Sequence, residues 1–316
     1  MSYENNLPMI SIVIVNSDGT EDTLNCLDSI FRNPPSVPFE VILVDNFSEV
    51  PCLEPAAERY PDIIARSAPQ QQGFSKNYNL GMRQSRGELV LIINNDTVVH
   101  PQALDILINE IRRHEEYGMV GPKLLNSQGK IQSVCARELL TPWRYILTQF
   151  LLDLGLPSGK LWESYRQWKL EKKGSGPVAC ISGACMLLKR EVLDQVGLLD
   201  EVYKFYYEDV EWCHRVQKYG YQVAYIAEAE ITHLGDRSLS QVKEWAKRSE
   251  YESAMRYFRQ YHQLSRAKIR ILWMSTVLSY FLRACAYWAM EKIAGRPLHA
   301  RDYFHLTRWV AQQSPG

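Results

Sequence analysis

The stretch from Leu89 to His100, LVLIINNDTVVH, decides how this chain is read. A run of leucine and β-branched residues ends abruptly in Asn94, Asn95 and Asp96, so a buried strand delivers polar side chains to its carboxyl end. In an open α/β sheet the carboxyl ends of parallel strands face the ligand crevice, which is where a polar ligand binds. Asp96 is a hard oxygen donor in that place, suited to a Mg or Mn ion bridging phosphates. The plainer alternative is a simple turn, because Asn and Asp favour turns through local hydrogen bonds.

The same pattern recurs upstream. Met9 to Val15, MISIVIV, reads as a parallel strand covered on both faces and breaks at Asn16 to Gly19. Thr20 to Phe31 carries Leu24, Leu27, Ile30 and Phe31 at helical spacing. Phe39 to Val44, FEVILV, is a second strand that again finishes in polar residues, Asp45 and Asn46. Ile63 to Arg66 is a short third strand, followed by a helix from Lys76 to Ser85. After the anchor strand, Pro101 opens a helix with Leu104, Leu107, Ile108 and Ile111, and Met119 to Pro122 is extended again. This β-α-β-α rhythm calls for a mostly parallel sheet with right-handed crossovers.

Bulk properties bound the function. With 316 residues, 46% hydrophobic and 23% charged, the chain has room for one large domain and an appendage. Lys plus Arg and Asp plus Glu both number 36, so no global basic field exists and nucleic acid is an unsuitable partner. Seven cysteines without regular spacing read as buried small hydrophobes; Cys180 and Cys185 lack the two-residue spacing of a zinc pair. The N-terminus has neither the basic start nor the apolar core of a signal peptide, so a cytoplasmic location is expected.

Beyond Arg137 the character changes. Residues 137–177 carry Trp143, Tyr145, Trp162, Tyr165 and Trp168 among charged residues, an aromatic helical insertion whose rings either pack it onto the sheet or line a sugar- or lipid-binding face. Val178 to Lys189 forms a strand or strand pair around Gly183, and Glu191 to Val196 a short helix. In YKFYYEDVEWCHRVQKYGY helical spacing starts at Glu208, placing Glu208 and Asp209 at a helix N-terminus, where negative charge is favoured. Capping is the alternative role for that pair. Val223 to Ile226 is a further strand, and Glu230 to Ser240 holds His233, Asp236 and Arg237. From Trp245 the chain is helical. Ile269 to Met290 has the length of a membrane span but is broken by Arg283 and bracketed by Arg266, Lys268, Arg270, Lys292 and Arg296. That pattern fits an interfacial helix on an anionic leaflet better than a spanning one; a dimerisation helix is the soluble alternative.

Acidic and amide groups thus converge on one sheet edge: Asp45, Asn94 with Asp96, and Glu208 with Asp209. Two clusters suit a metal-bound nucleotide and the third a base that takes a proton from a hydroxyl. At this point the residues resemble the family 2 glycosyltransferases of GT-A fold, especially their bacterial rhamnosyltransferase-like branch. The resemblance runs from Ile10 to Ser238 through ISIVIVNSDG, EVILVDNFS, GFSKNYNLGM, RGELVLIINNDTVV, VGPKLL, ISGACMLLKREVLDQVGLLDE, FYYEDVEWCHRVQKYGY and HLGDRS.

The resemblance implies a GT-A catalytic domain over residues 1–244; the tail from 245 to 316 lies outside it and is read from its own pattern as a helical region, membrane-associating or dimerising. It implies a donor-nucleotide set of Val15, Asn16, Ser17, Asp45, Asn79, Asn94 and Asn95, with Asp45 on the pyrimidine ring. Asp96 and His233 would hold a divalent Mg or Mn ion, and Asp209, beside Glu208, would be the general base of an inverting reaction. Arg215 would pair with these carboxylates, with phosphate, or in an ordinary salt bridge. Three positions depart from the family pattern: Ser17 where an aromatic is usual, Gln71 for Asn, and Asn94 for Asp. The implied activity is single-sugar transfer from a nucleotide-diphospho-sugar, dTDP-rhamnose before a UDP-hexose or furanose donor. The acceptor would be a glycan or lipid-linked glycan in cell-surface polysaccharide synthesis, reached at the inner membrane face. The loop NSDGTEDT lacks the GxGxxG turn of a nicotinamide enzyme and the Gly-rich basic loop of a nucleotidyltransferase. A catalytically silent nucleotide-sugar or glycan-binding scaffold is the rival from another class.

Overall fold

The computed structural model describes residues 9–151, 167–235, 244–295 and 299–314. Trp162, Tyr165, Asp236, Arg237 and Arg296, singled out above, lie outside them. The chain forms two compact units: residues 1–139, 169–204 and 208–235 make a sheet unit, and 140–168, 205–207 and 236–316 a helical unit.

The sheet unit opens with β1 (Ile10–Asn16), α1 (Thr20–Arg32), β2 (Phe39–Asp45), α2 (Leu53–Arg59), β3 (Ile64–Ser67), α3 (Phe74–Met82), β4 (Leu89–Asn94) and β5 (Thr97–Val99). It continues with α4 (Ala103–Arg113), β6 (Tyr117–Leu125) and β7 (Ala136–Arg137). The chain returns to it through β8 (Gly176–Val178), β9 (Cys180–Ile181), β10 (Cys185–Lys189), α6 (Arg190–Val196), α7 (Glu208–Lys218) and β11 (Gln222–His233). Among the described residues the main sheet has nine strands, in the order β3-β2-β1-β4-β10-β6-β11-β5, with β8 also on β11.

Strands β3, β2, β1 and β4 run parallel, as do β6 and β11; β10 is inserted antiparallel between β4 and β6. The sheet is therefore mixed and mostly parallel, flanked by helices, as expected. Ile12, Ile14, Leu43, Leu91 and Ile93 have no exposed surface. Burying each contributes about 1.5–3 kcal/mol, against roughly 1–2 kcal/mol for fixing a residue's backbone. Apolar continuity therefore carries each strand to the point where the polar residues begin. Register then aligns those points: Asn16 sits opposite Asp45, and Val15 opposite Asn94.

Several elements differ from the expected bounds, α3 (Phe74–Met82) and β6 (Tyr117–Leu125) among them, and three of the differences have a local cause. The anchor stretch is two strands, because the chain turns at Asn95 and Asp96, where the Thr97 hydroxyl donates to the Asn94 carbonyl at 2.7 Å. Helix α4 starts at Ala103 rather than Pro101, after Gln102 adopts a left-handed φ of 65°. Strand β11 continues past Ile226 to His233, because after a register shift its distal half pairs with both β6 and β5. That extension carries His233 to the turn at Asp96.

The helical unit contains α5 (Pro142–Leu151), α8 (Glu244–His262), α9 (Arg266–Ala294) and α10 (Ala300–Gln312). Tyr145 of α5 is buried against Phe258 of α8, with its hydroxyl 3.4 Å from that of Thr276 on α9. This part of the aromatic insertion thus packs onto the C-terminal helices, while Trp143 and Trp168 are exposed. Ser265 caps α9, accepting the Lys268 N–H, and Gly295 ends it with a left-handed φ of 66°. Arg283 is buried, donates to the Gln149 carbonyl at 2.5 Å and stands over the rings of Tyr280 and Tyr303. Within the helical unit, that arginine is compensated by backbone and aromatic faces.

Helix α3 lies close on β1 through Gly81: an added Cβ there would stand 2.3 Å from Val13 Cγ1. Val13 is fully buried and cannot withdraw. Gly81→Ala is expected to destabilise the sheet unit by about 1–3 kcal/mol through overpacking, read as a lower urea midpoint with an unchanged m-value.

Candidate active site

Three clusters gather where the parallel strands end. In the first, Asn16 is a buried hub: its amide donates to Asp45 Oδ1 at 2.7 Å and to the Ser48 hydroxyl at 3.0 Å. Its carbonyl oxygen accepts the Gly19 N–H at 3.1 Å and the Thr23 hydroxyl at 2.9 Å. Asp45 is 3% exposed and also takes the Ser48 N–H on Oδ2 at 3.1 Å. Asn46 bonds Ser17 Oγ at 3.2 Å and holds both the N–H and the carbonyl of Gln72. Asn16, Ser17, Asp45 and Val15 are thus brought together. Ser17 is exposed, while Asp45 spends its oxygens on the loops around it.

Asn79 does not join them. Its amide donates to the Leu199 carbonyl at 2.8 Å and to Glu201, and its oxygen accepts the Leu199 N–H at 3.1 Å. With 1% exposure it ties α3 to the 199–201 loop, apart from the residues expected with it in the donor set.

The second cluster lies at the β4–β5 turn. Asp96 Oδ1 is 3.4 Å from His233 Nε2, and Asn94 Nδ2 is 3.4 Å from the same nitrogen. Tyr78 of α3 donates its hydroxyl toward Asn94 Oδ1 at 3.1 Å. Asn95 turns the other way and donates to the Thr23 hydroxyl at 2.9 Å, joining the second cluster to the first. Burial pushes the Asp96 carboxyl up, but the hydrogen bond and charge of His233, with backbone N–H groups of Asp96 and Gly235, outweigh it and hold the group below the usual carboxylate range. Gln132 takes His233 Nδ1 at 2.9 Å and donates back to the His233 carbonyl at 2.8 Å. With Nδ1 on Gln132 Oε1, Nε2 is the nitrogen that faces Asp96 and acts as its donor here; loss of the Nε2 proton would free that lone pair, the form a metal ligand requires.

Among the described residues no group of three His, Cys, Asp or Glu side chains forms a metal cage. One carboxylate and one imidazole nevertheless suit Mg or Mn, which take a small number of protein ligands when phosphate oxygens and water complete the shell.

The third cluster is at the start of α7. Tyr206 and Tyr207, directly before it, have left-handed φ values of 66° and 70°, a conformation aromatic residues rarely adopt. Asp209 Oδ2 accepts from the Arg137 guanidinium and from the Gly183 N–H at 3.2 Å, and Oδ1 accepts the Val210 N–H at 2.7 Å. Glu208 is 7% exposed. Burial first, and then the Asp209 charge, pushes its carboxyl up to about 8, against its own backbone N–H and Arg137.

The second and third clusters share the segment around Gly183: the Asn94 N–H bonds the Ala184 carbonyl at 2.9 Å, one residue from the Gly183 N–H on Asp209. Arg215 makes an ordinary salt bridge with Glu211, one turn away, at 2.8 Å, and also bonds the Val196 carbonyl. Sequence reasoning missed Arg137, Gln132, Tyr78 and Thr23. Arg137 and Gln132 come from an irregular stretch with no periodic signal, and only the chain's return through β7 places them.

Residues 8–251 match the family described as Glycosyltransferase like family 2. An N-acetylglucosaminyl-diphospho-decaprenol L-rhamnosyltransferase of Mycobacterium tuberculosis is 29% identical over 62% of this chain and 66% of its own length. The low-salt glycan biosynthesis hexosyltransferase Agl10 of Haloferax volcanii is 27% identical over 66% of this chain and 62% of its own length, so the chain spans just under two thirds of these relatives. Among solved structures, the mannosyltransferase PcManGT of Pyrobaculum calidifontis, in complex with GDP-Man and Mn2+, superposes with a TM-score of 0.55 at 13% identity, over 97% of this chain and 81% of that one. GalNAc-T7 with UDP, GalNAc and Mn2+ gives 0.53 at 15% identity, over 73% and 44%. At those identities the likeness shows the fold, which is GT-A. Matched over most of its length, the chain belongs to glycosyltransferase family 2.

Proposed function

We propose that the chain is an inverting glycosyltransferase that uses a nucleotide-diphospho-sugar, with Asp209 as general base and Asp96 and His233 as the protein ligands of a divalent ion. The observation that carries this reading is the junction at Gly183 and Ala184. It ties the carboxylate fit to take a proton to the Asp96 turn fit to hold a diphosphate. Asp209 would take the proton of the acceptor hydroxyl as its oxygen attacks the anomeric carbon, while Arg137 and the Gly183 N–H keep the carboxylate oriented. A Mg or Mn ion, when bound, neutralises charge that grows on the leaving nucleoside diphosphate. Asn16 and Asp45 hold the loops that would flank the base.

The name of the mycobacterial relative supports L-rhamnose as the transferred sugar and a lipid-linked diphosphate sugar as the acceptor, so dTDP-rhamnose is the preferred donor. The GDP-Man and UDP bound in the two structural neighbours keep other nucleotides open.

An anionic leaflet would meet α9, which among the described residues is the one helix long and apolar enough to cross a membrane by length and composition. While Leu272, Thr276, Tyr280 and Arg283 face inward, Ile271, Met274, Leu278, Leu282 and Ile293 are exposed along the opposite face. Arg266, Lys268, Arg270 and Lys292 bracket that face with positive charge.

Titration calorimetry of the purified chain with dTDP-rhamnose and UDP-sugars, with and without Mn2+, tests the donor and the metal together. One nucleotide sugar is expected to bind in a Mn-dependent way that Asp96→Ala removes. Asp209→Asn is expected to keep that binding while nucleoside diphosphate release slows by about 10²- to 10⁴-fold. Unchanged release in Asp209→Asn, or full turnover in EDTA, overturns the assignment. For the membrane contact, Ile271→Glu with Leu278→Glu is expected to abolish sedimentation with phosphatidylglycerol vesicles. Retained sedimentation overturns it, and loss of a solution dimer instead assigns the face to a second copy.

A further inference from the structure

Three hydrogen-bond donors reach Asp209, whereas Glu208 beside it is differently served. The Asp209 oxygens take the Arg137 guanidinium, the Gly183 N–H and the Val210 N–H. Glu208 Oε2 is buried with no hydrogen-bond partner among the described residues. An ionised carboxylate there would leave a charged oxygen away from water with no donor on it, a far larger cost than the unpaired polar oxygen of a neutral acid.

Building on the assignment of Asp209 as the base, we propose that Glu208 is a positioning residue kept as a neutral carboxylic acid, so that it does not compete with Asp209 for the Arg137 guanidinium. Were both acids ionised, they would compete for Arg137, and Asp209 would lose the partner that orients it toward an acceptor hydroxyl.

The charged and titratable groups around Glu208 support this distribution. Asp209 follows it on α7 and disfavours a second negative charge; Arg137 reaches it from β7; Tyr78 of α3 feels its charge and is itself held protonated, first by burial and then by Asp96. The upward displacement of the Glu208 carboxyl to about 8 agrees with the donor count.

The pairing also has a sign. A carboxyl raised from 4.5 in the unfolded chain to about 8 in the folded one binds more protons when folded, so its contribution to stability is lost as pH rises through that window.

Infrared difference spectroscopy of the ligand-free chain tests the proposal without any donor or acceptor. The carbonyl band of a protonated carboxylic acid is expected near neutral pH, where ordinary carboxyls are ionised. It should fade around pH 8 and be absent in Glu208→Gln. In Asp209→Asn, where the neighbouring charge is removed, the band should fade at lower pH. Denaturant titrations should show a stability decline between about pH 5 and about pH 8 in the wild type that Glu208→Gln lacks. With a donor in hand, kcat/KM should fall about tenfold one unit above the titration point, and Glu208→Gln should move that alkaline limb upward. No protonated-acid band at neutral pH, or a band unchanged in Glu208→Gln, overturns the proposal. If Glu208→Gln does not fold, the wild-type band and its shift in Asp209→Asn decide alone. Absence of turnover with every nucleotide sugar defeats the glycosyltransferase reading and leaves the spectroscopic result to stand or fall by itself.

Discussion

The structure depends on one constraint: a polar side chain carried to the end of a buried strand must be met by a partner as it leaves the sheet. Strands β1, β2 and β4 are apolar enough to be buried and are aligned by their ladder, so their first polar residues emerge side by side. Asn16 answers for β1 by serving Asp45, Ser48, Thr23 and Gly19 at once. Each cluster is thus formed by chain segments that would otherwise leave buried groups unpaired. The rigidity that results is the preorganisation that binding or catalysis needs.

Much of this could be read from the chain itself. Runs such as ISIVIV and LVLII are uniform, and a uniform apolar run says both that a strand is covered on two faces and where it stops. Asp45, Asp96 and Asp209 were legible for the same reason, each standing at a change of pattern. Element ends were less legible: β11 was expected to stop near Ile226, because its distal half mixes polar and apolar residues and is fixed only by pairing with β5 and β6.

Partners were the least legible. Asn79 lies on the same short helix as Tyr78, yet Tyr78 reaches Asn94 while Asn79 turns to the 199–201 loop. A helix turns about 100° per residue, so neighbours in sequence serve different surroundings, and no pattern of residue types reveals which. Arg137 and Gln132 illustrate the same limit. They lie 72 and 101 positions from the groups they hold, Asp209 and His233, and nothing local marks them as partners.

The distribution of charge explains the departure at Asn94. In each cluster one acidic group stands beside a residue that is an amide or a neutral acid: Asp45 beside Asn46, Asp96 with Asn94 and Asn95, Asp209 with Glu208. Among the described residues each carboxylate has one side-chain nitrogen donor besides its backbone N–H groups or hydroxyl neighbours: the Asn16 amide for Asp45, the His233 imidazole for Asp96, the Arg137 guanidinium for Asp209. A second carboxylate at position 94 would press on Asp96 across a single imidazole and would displace the Tyr78 hydroxyl bond from an amide to an anion. The amide avoids both, since its oxygen accepts from Tyr78 and it adds no charge beside His233. For the proposed function this restraint matters, because an uncompensated carboxylate would repel a diphosphate. One carboxylate per cluster is therefore the arrangement that the partners present can sustain.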